Sequence, residues 1–136
     1  MNPFSLAIIV FAHGSLVEEA NREIARLAEE VSRRAQCPAS CAFLEAAQPD
    51  LATAVARAVG LGVRRIVVVP YFLTMGVHVR QDLPRLIQQQ RIRFPKVEIL
   101  VGQSLEGLPR MAELILDRVQ EALPEERLPD STEACC

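Results

Sequence analysis

A run of four consecutive β-branched residues near the middle of the chain constrains the fold more than any other feature. Residues 66–69, Ile-Val-Val-Val, lie between Arg65 and Pro70, with segments of helical periodicity on both sides. Such a run is typical of a strand that is buried on both faces of a sheet. Pro70 cannot donate a hydrogen bond to a neighbouring strand, so we expect the strand to end there. The run therefore predicts the centre of a sheet.

Three further apolar runs, residues 6–11, 41–44 and 97–101, predict three more strands, and a helical pattern follows each of the four. The order βαβαβαβα with right-handed crossovers predicts an α/β fold, a four-stranded parallel sheet with helices on both faces. We expect Ser15 to cap the first helix. We expect the third helix to begin near Gln81, because Pro84 is tolerated in a first turn. The fourth strand should lie at an edge, since it carries Glu98.

The 136 residues suit one domain over 1–123, followed by a disordered acidic tail over 124–136 that ends in Cys135 and Cys136. A net charge of −2 gives no general attraction to nucleic acid or to an anionic membrane. No apolar segment reaches the length of a transmembrane helix, and residues 1–5 lack the pattern of a signal peptide. The four cysteines form no CxxC pair. We therefore expect a cytoplasmic protein without disulfides.

The only two histidines each follow a predicted strand. His13 precedes Gly14 after the first strand, and His78 ends the loop after the central one. Because parallel strands end at the same edge, both imidazoles should lie where open α/β sheets bind ligands. Glu45 ends the second strand there, and two imidazoles with a carboxylate suit a divalent metal with open coordination positions. The alternatives are a turn-shaping His13, an exposed His78 and a solvated Glu45.

Other ionisable side chains near this edge have weaker signals. Arg22, Arg80 and Arg85 could bind carboxylates, and Arg80 is the strongest candidate because it lies two residues after His78. Asp82 has the position of a carboxylate at a helix start. The thiols at the end of the chain could bind a soft metal, but a tail without function is the preferred interpretation.

These segments, taken together, resemble the small, single-domain CbiX proteins of the class II chelatases. The resemblance is carried by FAHGS at 11–15, FLE at 43–45, RIVVVPYFL at 65–73 and GVHVRQDLP at 76–84, and it extends over residues 6–123. One departure is Ala12, at a position where glycine is common in the family. The terminal cysteines have no family counterpart.

The resemblance implies a lyase-type chelatase that inserts a divalent metal into sirohydrochlorin on a route to cobalamin or sirohaem. Cobalt is the expected metal and iron and nickel are alternatives, with no organic cofactor. The resemblance implies a chelatase-like half-unit that works as a homodimer. It also implies His13 and His78 as metal ligands and catalytic residues, with Glu45 as a further catalytic group. Ser15 and Arg80 would lie on the rim of the tetrapyrrole site.

Two other functions stay open from the residues alone. A cytosolic metal-binding or metal-delivery protein could use His13, His78 and the terminal thiols without catalysis. A histidine-dependent phosphatase also has a histidine and a glycine after its first strand, but it normally has an arginine before that histidine, where this chain has Ala12. No partner other than the tetrapyrrole and a second copy is expected.

Overall fold

The structure, a computed structural model, describes residues 5–123. Strands and helices alternate in the order β1 Leu6–Ala12, α1 Glu18–Ala35, β2 Ala39–Phe43, α2 Leu51–Gly60, β3 Arg65–Pro70, α3 Val77–Arg93, β4 Glu98–Val101 and α4 Arg110–Ala122. The predicted tail lies outside the described residues, and the domain boundary at residue 123 remains a prediction. The chain divides after Ser104 into two compact units, Met1–Ser104 and Leu105–Cys136. The first unit contains the sheet with α1 to α3, and the described part of the second contains α4.

The sheet is parallel throughout and has the strand order β2-β1-β3-β4. This confirms the predicted α/β class, the central position of the β-branched run within β3 and the edge position of β4. From β1 the chain moves to one side to form β2, and it then returns past β1 to form β3 and β4. The side on which strands are added to the sheet therefore switches between β1 and β3. The loops that follow these two strands lead in opposite directions from their carboxyl ends. Open α/β sheets bind ligands in the crevice at such a point.

Helices cover both faces of the sheet. Side chains of α2 and α3 form the main core with alternate residues of β1 and β3, among them Ile9, Phe11, Ile66 and Val68, which are fully buried. Burying an aliphatic or aromatic side chain of this size contributes about 1.5–3 kcal/mol. Helix α1 packs against β1 and β2. Val10, whose side chain alternates with those of Ile9 and Phe11 and so points to the other face of the sheet, is also buried. This aliphatic packing fixes the strand ends that carry the candidate site.

The start of α3 differs from the prediction. The helix begins at Val77 rather than near Gln81, and Pro84 lies inside it. Proline there removes one backbone donor, so the Arg80 carbonyl loses its intrahelical partner. Because Pro84 costs the helix only this one hydrogen bond, the helix begins about one turn earlier than it would if Pro84 lay in its first turn. As a result His78 lies within the first turn of α3 and not ahead of it.

Ser15 does not cap α1, contrary to the expectation. The helix begins at Glu18 after Val17, and no side chain bonds to its first turn at the cap position. The Ser15 Oγ instead accepts a hydrogen bond from the Val17 backbone N–H at 3.0 Å. A serine that bonds two residues ahead shapes a turn and not a helix start, so residues 13–17 form a structured loop between β1 and α1.

An arginine of α3 covers part of the exposed edge of β4. The Arg91 guanidinium donates to the Ile99 carbonyl from Nε at 3.1 Å and from Nη2 at 2.7 Å. At the amino-terminal ends of β3 and β4, Arg65 Nε lies 2.8 Å from Glu98 Oε2.

None of the helices in residues 5–123 is long and apolar enough to cross a membrane.

Asp50 caps α2 and provides a pH-dependent test of the fold. Its Oδ1 accepts from the Thr53 backbone N–H at 2.8 Å, and hydrogen bonds from the side chain and backbone of Thr53 lower the pKa of Asp50. We expect Asp50→Ala to lower the free energy of unfolding by about 1 kcal/mol at pH 7. Because the folded-state pKa is depressed, this contribution is full above the unfolded pKa of about 4 and is lost as the pH falls through the folded value.

Urea unfolding at pH 7 and pH 3 measures this effect. The gap between wild type and Asp50→Ala should narrow at pH 3, whereas Asp50→Asn, which keeps an acceptor at the cap, should stay within a few tenths of a kcal/mol of wild type at pH 7. An equal loss for both variants at pH 7 would contradict the capping role.

Candidate active site at the carboxyl edge of the sheet

A cavity of about 520 Å³ lies at the carboxyl ends of the strands. Its lining combines ionisable and apolar side chains from the loops after β1 and β2 and from α3: His13, Leu44, Glu45, His78, Asp82, Arg85 and Leu86. The structure thus brings His13, Glu45 and His78 together around one cavity, as their positions after three strands predict. Their roles as ligands or bases stay predictions.

His13 and Glu45 form a close pair in this cavity. The His13 Nε2 lies 2.7 Å from the Glu45 Oε1, with 55% and 64% of the two side chains exposed. An imidazole N–H that donates to a carboxylate leaves the lone pair on the other ring nitrogen free. The pair is therefore oriented by the protein and open to solvent at the same time.

The backbone holds this pair in register. Beyond the ends of the two strands, the Leu44 N–H donates to the Ala12 carbonyl at 2.9 Å and the Glu45 N–H donates to the His13 carbonyl at 3.0 Å. Gly14 allows this close approach. It has a φ of +92°, and a Cβ at its position would lie 1.8 Å from the Glu45 carbonyl oxygen. Only glycine fits here, both because of the positive φ and because a backbone atom occupies the space of a side chain.

Asn21 fixes the next part of the loop and was missed by the sequence analysis. Its Oδ1 accepts from the Ser15 N–H at 2.9 Å, and its Nδ2 donates to the Ser15 carbonyl at 2.8 Å. Both polar groups of one loop residue are thus bonded by one amide on α1. The available signal is an asparagine within the first turns of an amphipathic helix, where its helix propensity is low and a specific bond is the usual reason for its presence.

One face of α3 forms the other side of the cavity. His78, Asp82, Arg85 and Leu86 are spaced i, i+4, i+7 and i+8, which places them on a single stripe of the helix. His78 is exposed in the first turn. Asp82 lies in the second turn, so it is not the helix-start carboxylate that we expected, and its Oδ1 is 3.6 Å from the Arg85 Nη2. Sequence reasoning missed this stripe because it began the helix too late.

Two predicted rim residues lie outside the cavity lining. The Arg80 Nε donates to the Met75 carbonyl at 3.0 Å, so part of this guanidinium holds the loop that precedes α3. Ser15 is half-buried and bonded through its backbone to Asn21. Arg22 pairs with Glu19 at 3.5 Å on α1. The arginine that lines the cavity is Arg85, which the sequence analysis treated as a weaker candidate than Arg80.

Within residues 5–123, no three His, Cys, Asp or Glu side chains are close enough together to hold a metal ion. Cys37 and Cys41 are free thiols, and burial raises the pKa of the Cys41 thiol.

The chemistry available in the cavity is metal binding and proton transfer. Imidazole nitrogens bind borderline divalent metals such as cobalt, nickel and iron, and they also exchange protons near neutral pH. Two carboxylates add further proton acceptors, and the arginine can bind an anion. An open site of this kind suits a metal that is passed on and not retained.

Comparisons with known proteins agree with this chemistry. The CbiX family model matches residues 7–122. A sirohydrochlorin cobaltochelatase of Methanopyrus kandleri is 30% identical over 89% of this chain and 99% of its own length. A sirohydrochlorin ferrochelatase of Priestia megaterium is 28% identical over 85% of this chain but only 44% of its own length.

Solved structures give the same result for the fold. The crystal structure of a CbiX protein of Marinobacter aquaeolei, described as a putative cobalamin biosynthesis protein, has a TM-score of 0.77 and 35% identity over 89% of this chain and 99% of that one. SirB from Bacillus subtilis with Fe³⁺ also has a TM-score of 0.77, with 27% identity over 93% of this chain and 49% of that one. The chain thus has the full length of some relatives and half the length of others.

Proposed function

Because this chain belongs to the CbiX family, we propose that it is a chelatase that inserts a divalent metal ion into sirohydrochlorin. One observation carries the proposal. His13, Glu45 and His78 converge on one open cavity at the carboxyl edge of the sheet, where strand addition switches sides between β1 and β3. Cobalt is the expected metal, since sirohydrochlorin cobaltochelatases of Methanosarcina barkeri and Methanothermobacter thermautotrophicus, like that of Methanopyrus kandleri, match this chain over nearly their whole length. Iron is the alternative that a ferrochelatase relative supports. Nickel is a further alternative, supported by ligand chemistry alone.

His13 and His78 would hold the incoming metal. With its Nε2 hydrogen bonded to Glu45, His13 keeps the lone pair of Nδ1 for the ion, an arrangement found where carboxylates orient metal-binding histidines. Two protein ligands bind a borderline metal less firmly than the four of a structural site. The ion can therefore leave for the four nitrogens of the macrocycle.

The tetrapyrrole would lie across the open side of the cavity. Sirohydrochlorin is flat, large and polyanionic, so it needs apolar surface under the ring and basic groups near its carboxylates. Leu44 and Leu86 line the cavity, and Leu73 and Val77 are exposed on and after the loop that follows β3. Arg85 is the basic group within the cavity, and Arg80 and Ser15 remain candidates for the rim.

We expect the purified chain, mixed with sirohydrochlorin and Co²⁺, to change the visible absorption of the macrocycle faster than Co²⁺ alone. The reason is that bound metal and bound macrocycle meet at one site, which converts a bimolecular step into a unimolecular one. Initial rates should rise linearly with protein concentration, and parallel assays with Fe²⁺ without oxygen and with Ni²⁺ rank the metals. Binding of Co²⁺ without any acceleration would favour the metal-delivery alternative and contradict catalysis.

Two further properties are proposed on separate grounds. The chain matches 44% and 49% of the longer ferrochelatase and SirB chains, so two copies would supply what one longer chain contains, and we propose a homodimer. Light scattering that gives the mass of a single copy would contradict this. Cys37 and Cys41 are free thiols, which suits action in the reducing cytoplasm.

A further inference from the structure

The two carboxylates of the cavity, Glu45 and Asp82, differ in how closely a neighbouring side chain pairs with them. Glu45 is engaged by His13 at 2.7 Å. Asp82 makes an ion pair with Arg85 at 3.6 Å, which is longer than a hydrogen bond. The Asp82 oxygens therefore keep lone pairs for another donor, and 40% of the side chain is exposed.

Metal insertion must remove two protons from the macrocycle. The macrocycle exchanges two pyrrole N–H bonds for bonds from the same nitrogens to the divalent metal, and two protons are released without any change of oxidation state. Each proton must reach a base while the ion is still held nearby. A nitrogen that donates its lone pair to the metal cannot accept a proton at the same time, so His13 and His78 are not available during transfer if they hold the ion.

Few lining residues remain for this task. Leucines and an arginine cannot accept protons, and Glu45 is occupied in orienting His13. Asp82 is the remaining carboxylate among the residues that line the cavity, one helical turn from His78 on the same stripe of α3.

We propose that Asp82 is a catalytic residue whose carboxylate accepts a pyrrole proton of the bound tetrapyrrole on the α3 side of the cavity and releases it to solvent. This inference rests on the proposed chelatase function. Arg85 holds the carboxylate in the cavity through the ion pair across one turn. The second proton passes directly to solvent at the open side of the cavity.

The test compares Asp82→Asn with wild type for three quantities: kcat for Co²⁺ insertion, KM for sirohydrochlorin and the Kd for Co²⁺ measured without macrocycle. We expect kcat to fall roughly 100-fold, the lower range for loss of a general base. KM and Kd should stay within about twofold, because a proton acceptor contributes to the transition state and not to ground-state binding. Asp82→Glu, which keeps the carboxylate, should retain more activity than Asp82→Asn.

Glu98→Gln is the matched control, since it neutralises another exposed carboxylate that is paired with an arginine, at the amino-terminal edge of the sheet. Its kcat should equal that of wild type. An unchanged kcat in Asp82→Asn, or a loss of Co²⁺ affinity that accounts for the whole effect, overturns the assignment of Asp82. A wild-type protein that does not accelerate insertion overturns the chelatase function itself, so the two failures are distinguishable.

Discussion

Replacing His78 with alanine is expected to lower the rate of Co²⁺ insertion by at least about 100-fold while the chain stays folded. The imidazole is one of only two in the sequence, and it lies at the cavity on the helix that faces the His13–Glu45 pair. Without it, the ion would have a single imidazole ligand and would no longer be held over the ring nitrogens. Its exposed position in the first turn of α3 means that little packing is lost.

The measurement combines stopped-flow absorbance with urea unfolding and Co²⁺ titration. Gln81→Ala, an exposed position three residues further along α3, is the control and should keep wild-type kinetics. The variant at 78 should bind Co²⁺ more weakly and unfold at the same urea concentration as wild type. Full insertion rates in that variant would exclude His78 from the site.

Gly14→Ala is expected to have the largest effect on stability, with a loss on the order of 3 kcal/mol in the free energy of unfolding. Its φ of +92° is unfavourable for alanine, and the added methyl group would lie 1.8 Å from the Glu45 carbonyl oxygen. That oxygen cannot move freely, because the adjacent Glu45 N–H is bonded to His13. The clash should separate the two loops and also reduce insertion activity.

Thermal and urea unfolding test this prediction, with Gly60→Ala as the control. Gly60 ends α2, has no atom within 4 Å of an added Cβ and has no positive φ, so alanine there should be neutral or stabilising by up to about 1 kcal/mol. Similar unfolding midpoints for the two variants would show that the loops can separate without cost and would contradict the role given to Gly14.

The sheet was predictable because its central strand has a strong local signal, whereas β2, predicted at residues 41–44, lies at Ala39–Phe43. Residues 66–69 are β-branched throughout, and β3 indeed lies in the middle of the sheet beside β1. The placement of both histidines at one edge followed from the same pattern, since parallel strands that alternate with helices must end together. These inferences needed no knowledge of side-chain contacts.

The details of the site were less predictable, and each error has a physical reason. Pro84 suggested a late helix start, but one missing hydrogen bond does not stop a helix whose other turns are packed, since Val79 and Leu83 are buried. That error hid the stripe of His78, Asp82 and Arg85. The pairing of Asn21 with Ser15 depends on hydrogen bonds between one side-chain amide and both backbone groups of one loop residue. The periodicity of apolar residues carries no information about such bonds.

The bond between Arg91 and Ile99 has a consequence for self-association. A strand at the margin of a sheet is a template for another strand, whether in an ordered oligomer or in a fibril. Here a guanidinium already occupies an outward carbonyl of β4, so a second copy that tried to extend the sheet through this strand would first have to displace it. Two copies that meet should therefore avoid pairing through β4, which limits β-augmentation at this edge of the sheet.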